Sequence, residues 1–115
     1  MTTLDAFLKI RGVAADYLDA STKATDEEKA RYYRHEFYRL SFVAREINLF
    51  DDWGFSNIIY VSTLDHWACV MPKDYEYLDS ISYPYDKENP PIVFVSGNAD
   101  CVLNEYLSEE KENEQ

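Results

Sequence analysis

The stretch Asn57-Ile58-Ile59-Tyr60-Val61-Ser62-Thr63-Leu64-Asp65-His66-Trp67-Ala68-Cys69-Val70-Met71 decides the fold class. Asn57 to Ser62 is rich in Ile, Tyr and Val, and His66 to Met71 is a second apolar run. The polar link Thr63-Leu64-Asp65 between them reads as a hairpin loop. Pro72 closes the second run, because proline has no N–H to give to a ladder. Upstream of Asp51-Asp52-Trp53-Gly54 the apolar spacing is that of a helix, so the chain changes period here.

Thr25-Asp26-Glu27-Glu28 fits a capping box, with Thr25 capping an amide and Glu28 reaching back. Ala30, Tyr33, Phe37, Leu40, Ala44 and Ile47 follow at steps of three and four, which predicts a helix to about Asn48. Tyr38 and Phe42 lie beside that face and predict a broad buried side. An earlier helix is predicted from about Thr3 to Leu18, with Leu4, Leu8, Ala15 and Leu18 as its stripe, widened by Phe7 and Ala14. Gly12 weakens it by about 1 kcal/mol relative to alanine. The polar run Ser21 to Thr25 reads as a connector.

Downstream, Tyr75 to Leu78 is a weaker strand signal that could extend to Tyr83, and Pro84 through Pro91 is a proline-bearing loop. Ile92 to Val95 reads as a short buried strand. Ser96-Gly97-Asn98 then reads as a turn and cap into a helix from about Ala99 to Glu109, with Val102, Leu103, Tyr106 and Leu107 inward. Glutamates crowd the negative end of that helix dipole, which predicts fraying over 109–115. The order α-α-β-β-β-β-α with hairpin links predicts an α+β fold. It has two N-terminal helices, a small mostly antiparallel sheet of three to four strands, and a C-terminal helix. Residues 1–108 read as a single domain.

Charge divides the chain. Residues 1–45 hold eight Lys/Arg and seven Asp/Glu, a net +1, whereas residues 46–115 hold three and fifteen, a net −12. Unpaired carboxylates stay on the surface. Such a surface repels nucleic acid and anionic membrane and attracts cationic protein. No apolar run is long enough to span a membrane, and the start carries no basic leader, so a cytoplasmic setting with reduced Cys69 and Cys101 is expected.

Motifs for catalysis and cofactors do not emerge, and the reading assigns no catalytic residue, metal or cofactor. His35 has no second histidine at zinc-protease spacing. His66 and Cys69 are three apart on one strand, so they point to opposite faces. The three glycines form no phosphate loop. Arg31, Arg34, Arg39 and Arg45 share one helix and are expected to pair with the acidic half or to lie along the core.

The binding signal lies in Asp74-Tyr75-Glu76-Tyr77-Leu78-Asp79 and Tyr83-Pro84-Tyr85-Asp86. On a strand, Tyr75 and Tyr77 share one face and Asp74 and Glu76 the other. Tyrosine supplies contact area at low entropy cost, and carboxylates catch Arg or Lys. The candidate partner-binding residues are Asp74, Tyr75, Glu76, Tyr77, Asp79, Tyr85, Asp86 and Glu88. A second acidic element is the last helix and tail, where Asp100 and Glu105 are expected to project outward.

Leu103-Asn104-Glu105-Tyr106-Leu107 with Glu109-Glu110 resembles the acidic C-terminal end of the phage anti-restriction family that mimics DNA. That family is helical throughout, and this chain departs from it in its strands. Charge, size and the tyrosines together point to a non-enzymatic inhibitor of a basic nucleic-acid-handling protein or nuclease. An anti-defence role in a phage-infected host, against a CRISPR effector or a restriction enzyme, fits this reading. An immunity protein that neutralises a basic toxin nuclease fits the same physics, and a general acidic interaction domain is the third reading.

Overall fold

A computed structural model describes residues 1–72 and 89–113. The fold is α+β. Among the described residues it comprises α1 (Thr3–Lys23), α2 (Glu27–Asp52), β1 (Asn57–Val61), β2 (His66–Val70), β3 (Ile92–Phe94), α3 (Gly97–Tyr106) and α4 (Ser108–Asn113). The described strands form an antiparallel sheet in the order β1-β2-β3. The predicted strand at Tyr75 to Leu78 lies outside the described residues.

The first helix starts at Thr2, whose side chain accepts the Asp5 N–H at 3.1 Å. It runs past Leu18 through the predicted connector. Ser21 donates to the Leu18 carbonyl at 2.7 Å and Thr22 to that of Asp19 at 2.8 Å, while Lys23 pairs with Asp19 at 2.9 Å. Hydroxyls that bond back to the preceding turn keep a polar stretch helical. The cap of α2 is Asp26 rather than Thr25, with Asp26 Oδ1 accepting the Glu28 N–H at 3.0 Å. The short link sets α1 and α2 antiparallel, as a helical hairpin.

A Schellman closure ends α2. Gly54 N–H donates to the Asp51 carbonyl and Phe55 N–H to that of Phe50, both at 3.0 Å. Gly54 sits at φ 100°, which only glycine adopts freely. The Phe50 and Phe55 rings pack edge to face, 6.5 Å between centroids, across the same turn. This reversal aims β1 back along α1, where Thr3 N–H donates to the Ser56 carbonyl at 2.8 Å and Ile58 N–H to that of Met1 at 2.9 Å.

Register pairs Tyr60 with Trp67, Ile58 with Cys69, and Cys69 with Val93. Ile58, Trp67 and Cys69 join Ile10, Leu40, Ile47, Val102, Leu103 and Leu107 in one core. The strand at Ile92 is not buried as expected. Ile92 and Phe94 alternate onto the face away from that core and are both substantially exposed.

The stripe of α1 differs from expectation. Leu4, Leu8 and Leu18 are exposed, and Thr3, Ala6, Ile10 and Ala14 are buried instead. The helix carries two apolar stripes side by side, and the one that holds Ala6, Ile10 and Ala14 shares the core with α2. Tyr38 and Phe42 are likewise exposed, at 58% and 66%, opposite the buried Leu40, Val43, Ala44 and Ile47. The buried positions stop at Ala14 on α1 and begin at Glu36 on α2, so the far end of the hairpin extends beyond the core. A cluster of Tyr17, Tyr32 and Tyr33 holds it there. The molecule is correspondingly long, 57 × 29 × 19 Å.

A Cβ added at Gly12 meets nothing within 4 Å. Gly12→Ala is therefore expected to raise stability by about 1 kcal/mol. Gly54→Ala, which forces a Cβ into the left-handed region, is expected to lower it by about 1–2 kcal/mol. Urea unfolding of both variants checks the pair; equal and small effects would contradict the helix and turn assignments.

Candidate functional site

The eight candidate binding residues Asp74, Tyr75, Glu76, Tyr77, Asp79, Tyr85, Asp86 and Glu88 all lie outside the described residues. The two ends of the segment that carries them are placed. Met71 N–H donates to the Pro91 carbonyl at 3.0 Å, just past the Val70–Ile92 pair. The chain thus leaves and re-enters the sheet at one point, between β2 and β3. A long connection anchored on a rigid sheet is a common way to present a binding segment.

The described acids of the negative half hold specific positions. Asp51 Oδ1 accepts the Thr3 hydroxyl at 2.6 Å and ties α1 to the end of α2. Glu46 accepts the Ser96 N–H at 2.8 Å and ties α2 to the start of α3. Asp100 turns inward rather than outward. Its Oδ1 accepts the backbone N–H of buried Trp67 at 2.9 Å, and Asn104 Oδ1 accepts the Trp67 indole N–H at 3.0 Å. The His66 ring donates from Nε2 to the Val95 carbonyl at 2.7 Å and sets Nδ1 3.7 Å from Asp100. These bonds fasten α3 across β2.

Glu105 is also engaged. Arg39 Nη2 lies 2.9 Å from Glu36 Oε2 and 3.0 Å from Glu105 Oε2, and Glu36 is itself buried. The two carboxylates hold the Arg39 guanidinium proton well above its usual range, with the Glu36 hydrogen bond as the largest cause. This clasp joins α2 to α3. Arg31 makes only a long exposed pair with Glu27 at 3.8 Å. Of the four arginines on α2, only Arg39 pairs with a described acid of the negative half. The stretch that resembles the anti-restriction end thus has local uses: Leu103 and Leu107 are core, Asn104 serves Trp67 and Glu105 serves Arg39.

The segment expected to fray contains α4. Lys111 Nζ stands 4.2 Å from the Tyr60 ring centroid and 3.7 Å from Asp65, bringing the acidic end of the chain against β1. The Tyr60 hydroxyl donates to Asp65, and this bond together with Lys111 holds the Asp65 carboxyl below its usual range. Asp65 has φ 48°, a left-handed position that aspartate tolerates in a turn.

The cysteines separate. Cys101 is exposed, while Cys69 is fully buried and its thiol is pushed up to about 12 by desolvation, with Glu46 and Asp51 adding to the rise. A thiol held protonated in this way is a poor nucleophile. Among the described residues no group of three His, Cys, Asp or Glu could hold a metal ion, and no helix is long and apolar enough to cross a membrane.

One surface was missed by sequence reasoning: the exposed face of the helical hairpin. Its signal is the Leu4, Leu8, Ala15, Leu18 stripe, whose leucines face solvent, whereas Ala14 at its edge is buried with Ala6 and Ile10. Comparison of the chain with protein-family models, with curated proteins and with solved structures finds no match.

Asp100→Ala leaves the buried Trp67 N–H without its acceptor and is expected to destabilise the fold by about 2 kcal/mol. Asp100→Asn keeps an oxygen in place and should cost clearly less. Urea titration with Trp fluorescence measures both; a neutral Asp100→Ala would show that the clamp does not fasten α3.

Proposed function

We propose that the protein is a non-enzymatic binding module whose acidic, tyrosine-bearing segment docks on the cationic surface of a nucleic-acid-handling protein and excludes its nucleic acid. The observation that carries this reading is the charge partition. Residues 46–115 hold a net −12, and among the described residues Arg39 is the one arginine of α2 that pairs with an acid of that half. Arg39 meets Glu105, and no other described acid of that half. Asp74, Glu76, Asp79, Asp86 and Glu88 are the acids assigned to contact, with Tyr75, Tyr77 and Tyr85 as anchors.

Charge of this kind speeds encounter, and buried tyrosines slow release. A partner built to hold phosphates already presents lysines and arginines at a density that a row of carboxylates can occupy. An anti-defence inhibitor acting on a CRISPR effector or a restriction enzyme is the specific role we assign, in the cytoplasm of an infected bacterial host. The pinned ends at Met71 and Pro91 support the reading, because they hold the segment's base against a rigid sheet.

Competition binding against purified defence nucleases tests it. The protein should displace nucleic acid from its target, with an affinity that drops steeply as salt rises. Replacing Asp74, Glu76 and Asp79 together by their amides should weaken binding at least about tenfold while the unfolding curve stays unchanged. Affinity indifferent to both salt and the triple replacement would remove this segment from the interface.

A further inference from the structure

A groove of about 510 Å³ runs between α1 and α2 and is lined by residues of those two helices alone. Phe7, Ala14, Phe37 and Ala44, half or fully buried, form its floor, and the exposed Arg11 and Arg45 stand at its rim. None of its lining residues is acidic. The Arg11 guanidinium carbon lies 5.7 Å from the Phe7 ring centroid. Neither arginine is ion-paired among the described residues. Beyond Arg45 the apolar surface continues over the exposed Tyr38 and Phe42. Across α1 it continues over Leu4 and Leu8.

We propose that this groove receives an amphipathic helix with acidic flanks, supplied by another protein. The shape suits it, since a helix laid between two others completes a small bundle. Phe7 to Leu18 spans about 16 Å, or three helical turns, enough for anchors at i, i+3 or i+4, and i+7. Carboxylates flanking those anchors would reach Arg11 and Arg45, and charge-assisted bonds of this kind fix register.

Charge and shape select this occupant over two others. A second copy docking by two-fold symmetry would set the arginines Arg11 and Arg45 of one groove against those of the other, like charge against like. An anionic bilayer is too flat to fill a concave groove. This face is distinct from the acidic segment of the proposed function. It also has the opposite sign, so the two readings can fail separately.

Fluorescence anisotropy with a labelled 18-residue amphipathic peptide tests the inference, using leucine anchors flanked by glutamates. The glutamate peptide should bind, and the double variant Arg11→Glu/Arg45→Glu should lose at least about tenfold in affinity with unchanged thermal unfolding. On the amide variant of Asp74, Glu76 and Asp79, where the acidic segment no longer competes for cations, the same peptide with lysines in place of the glutamates should bind at least about tenfold more weakly than the glutamate peptide. The amide variant of Asp74, Glu76 and Asp79 should bind the glutamate peptide like the parent protein. Equal binding of both peptides by that amide variant, or no binding of either, would overturn the proposal. So would partition onto anionic vesicles in preference to the peptide, or a dimer in sedimentation that Leu18→Glu dissolves.

Discussion

Ala6, Ile10 and Ala14 of α1 share one core with Leu40, Val43, Ala44 and Ile47 of α2, and the rest of the molecule is hung on this seam. Small residues on one side let the helix axes approach, and branched residues on the other fill the space. Each large side chain in such a seam contributes about 2 kcal/mol relative to exposure. An exposed ion pair such as Lys23–Asp19 contributes under about 1 kcal/mol. Burial therefore sets the hairpin, and charge only trims it. The sheet and α3 then cover one end of the hairpin, and the other end is left long and uncovered.

What aligns the covering layer is polar. Thr3 with Asp51, Ser96 with Glu46, Trp67 with Asp100 and Asn104, and Arg39 between Glu36 and Glu105 each cross from one element to another. No described buried side-chain N or O atom lacks a partner. Several acids that count toward the negative half are thereby spent on architecture.

Much of the fold was legible. The change from helical period to two β-rich runs marked the hairpin of β1 and β2, and the Ser96 cap and the inner face of α3 followed from pattern alone. The misreadings have physical causes. On α1 two apolar stripes compete; bulk points to Leu4, Leu8 and Leu18, whereas Ala6 and Ile10 are buried together with Ala14, which the sequence does place inward. At Ser21 and Thr22, hydroxyls bonded to the preceding turn extended a helix that polarity had ended. Asp100 faced inward because a buried strand N–H needed an acceptor, and no sequence period shows that demand. For the site, the charge asymmetry was readable at once, but the groove was not, because it arises only when α1 and α2 bring Arg11 and Arg45 to one rim.

The two proposed binding regions have opposite sign, an acidic segment within residues 73–88 and a cationic groove on the hairpin. An amide chemical-shift map of the labelled protein tests that division most directly. It is titrated first with an arginine-rich peptide and then with an acidic amphipathic one. The account predicts two separate sets of shifted amides, the first within residues 73–88 and the second along the facing sides of α1 and α2. Both peptides shifting the same amides, or neither reaching the hairpin groove, would contradict it.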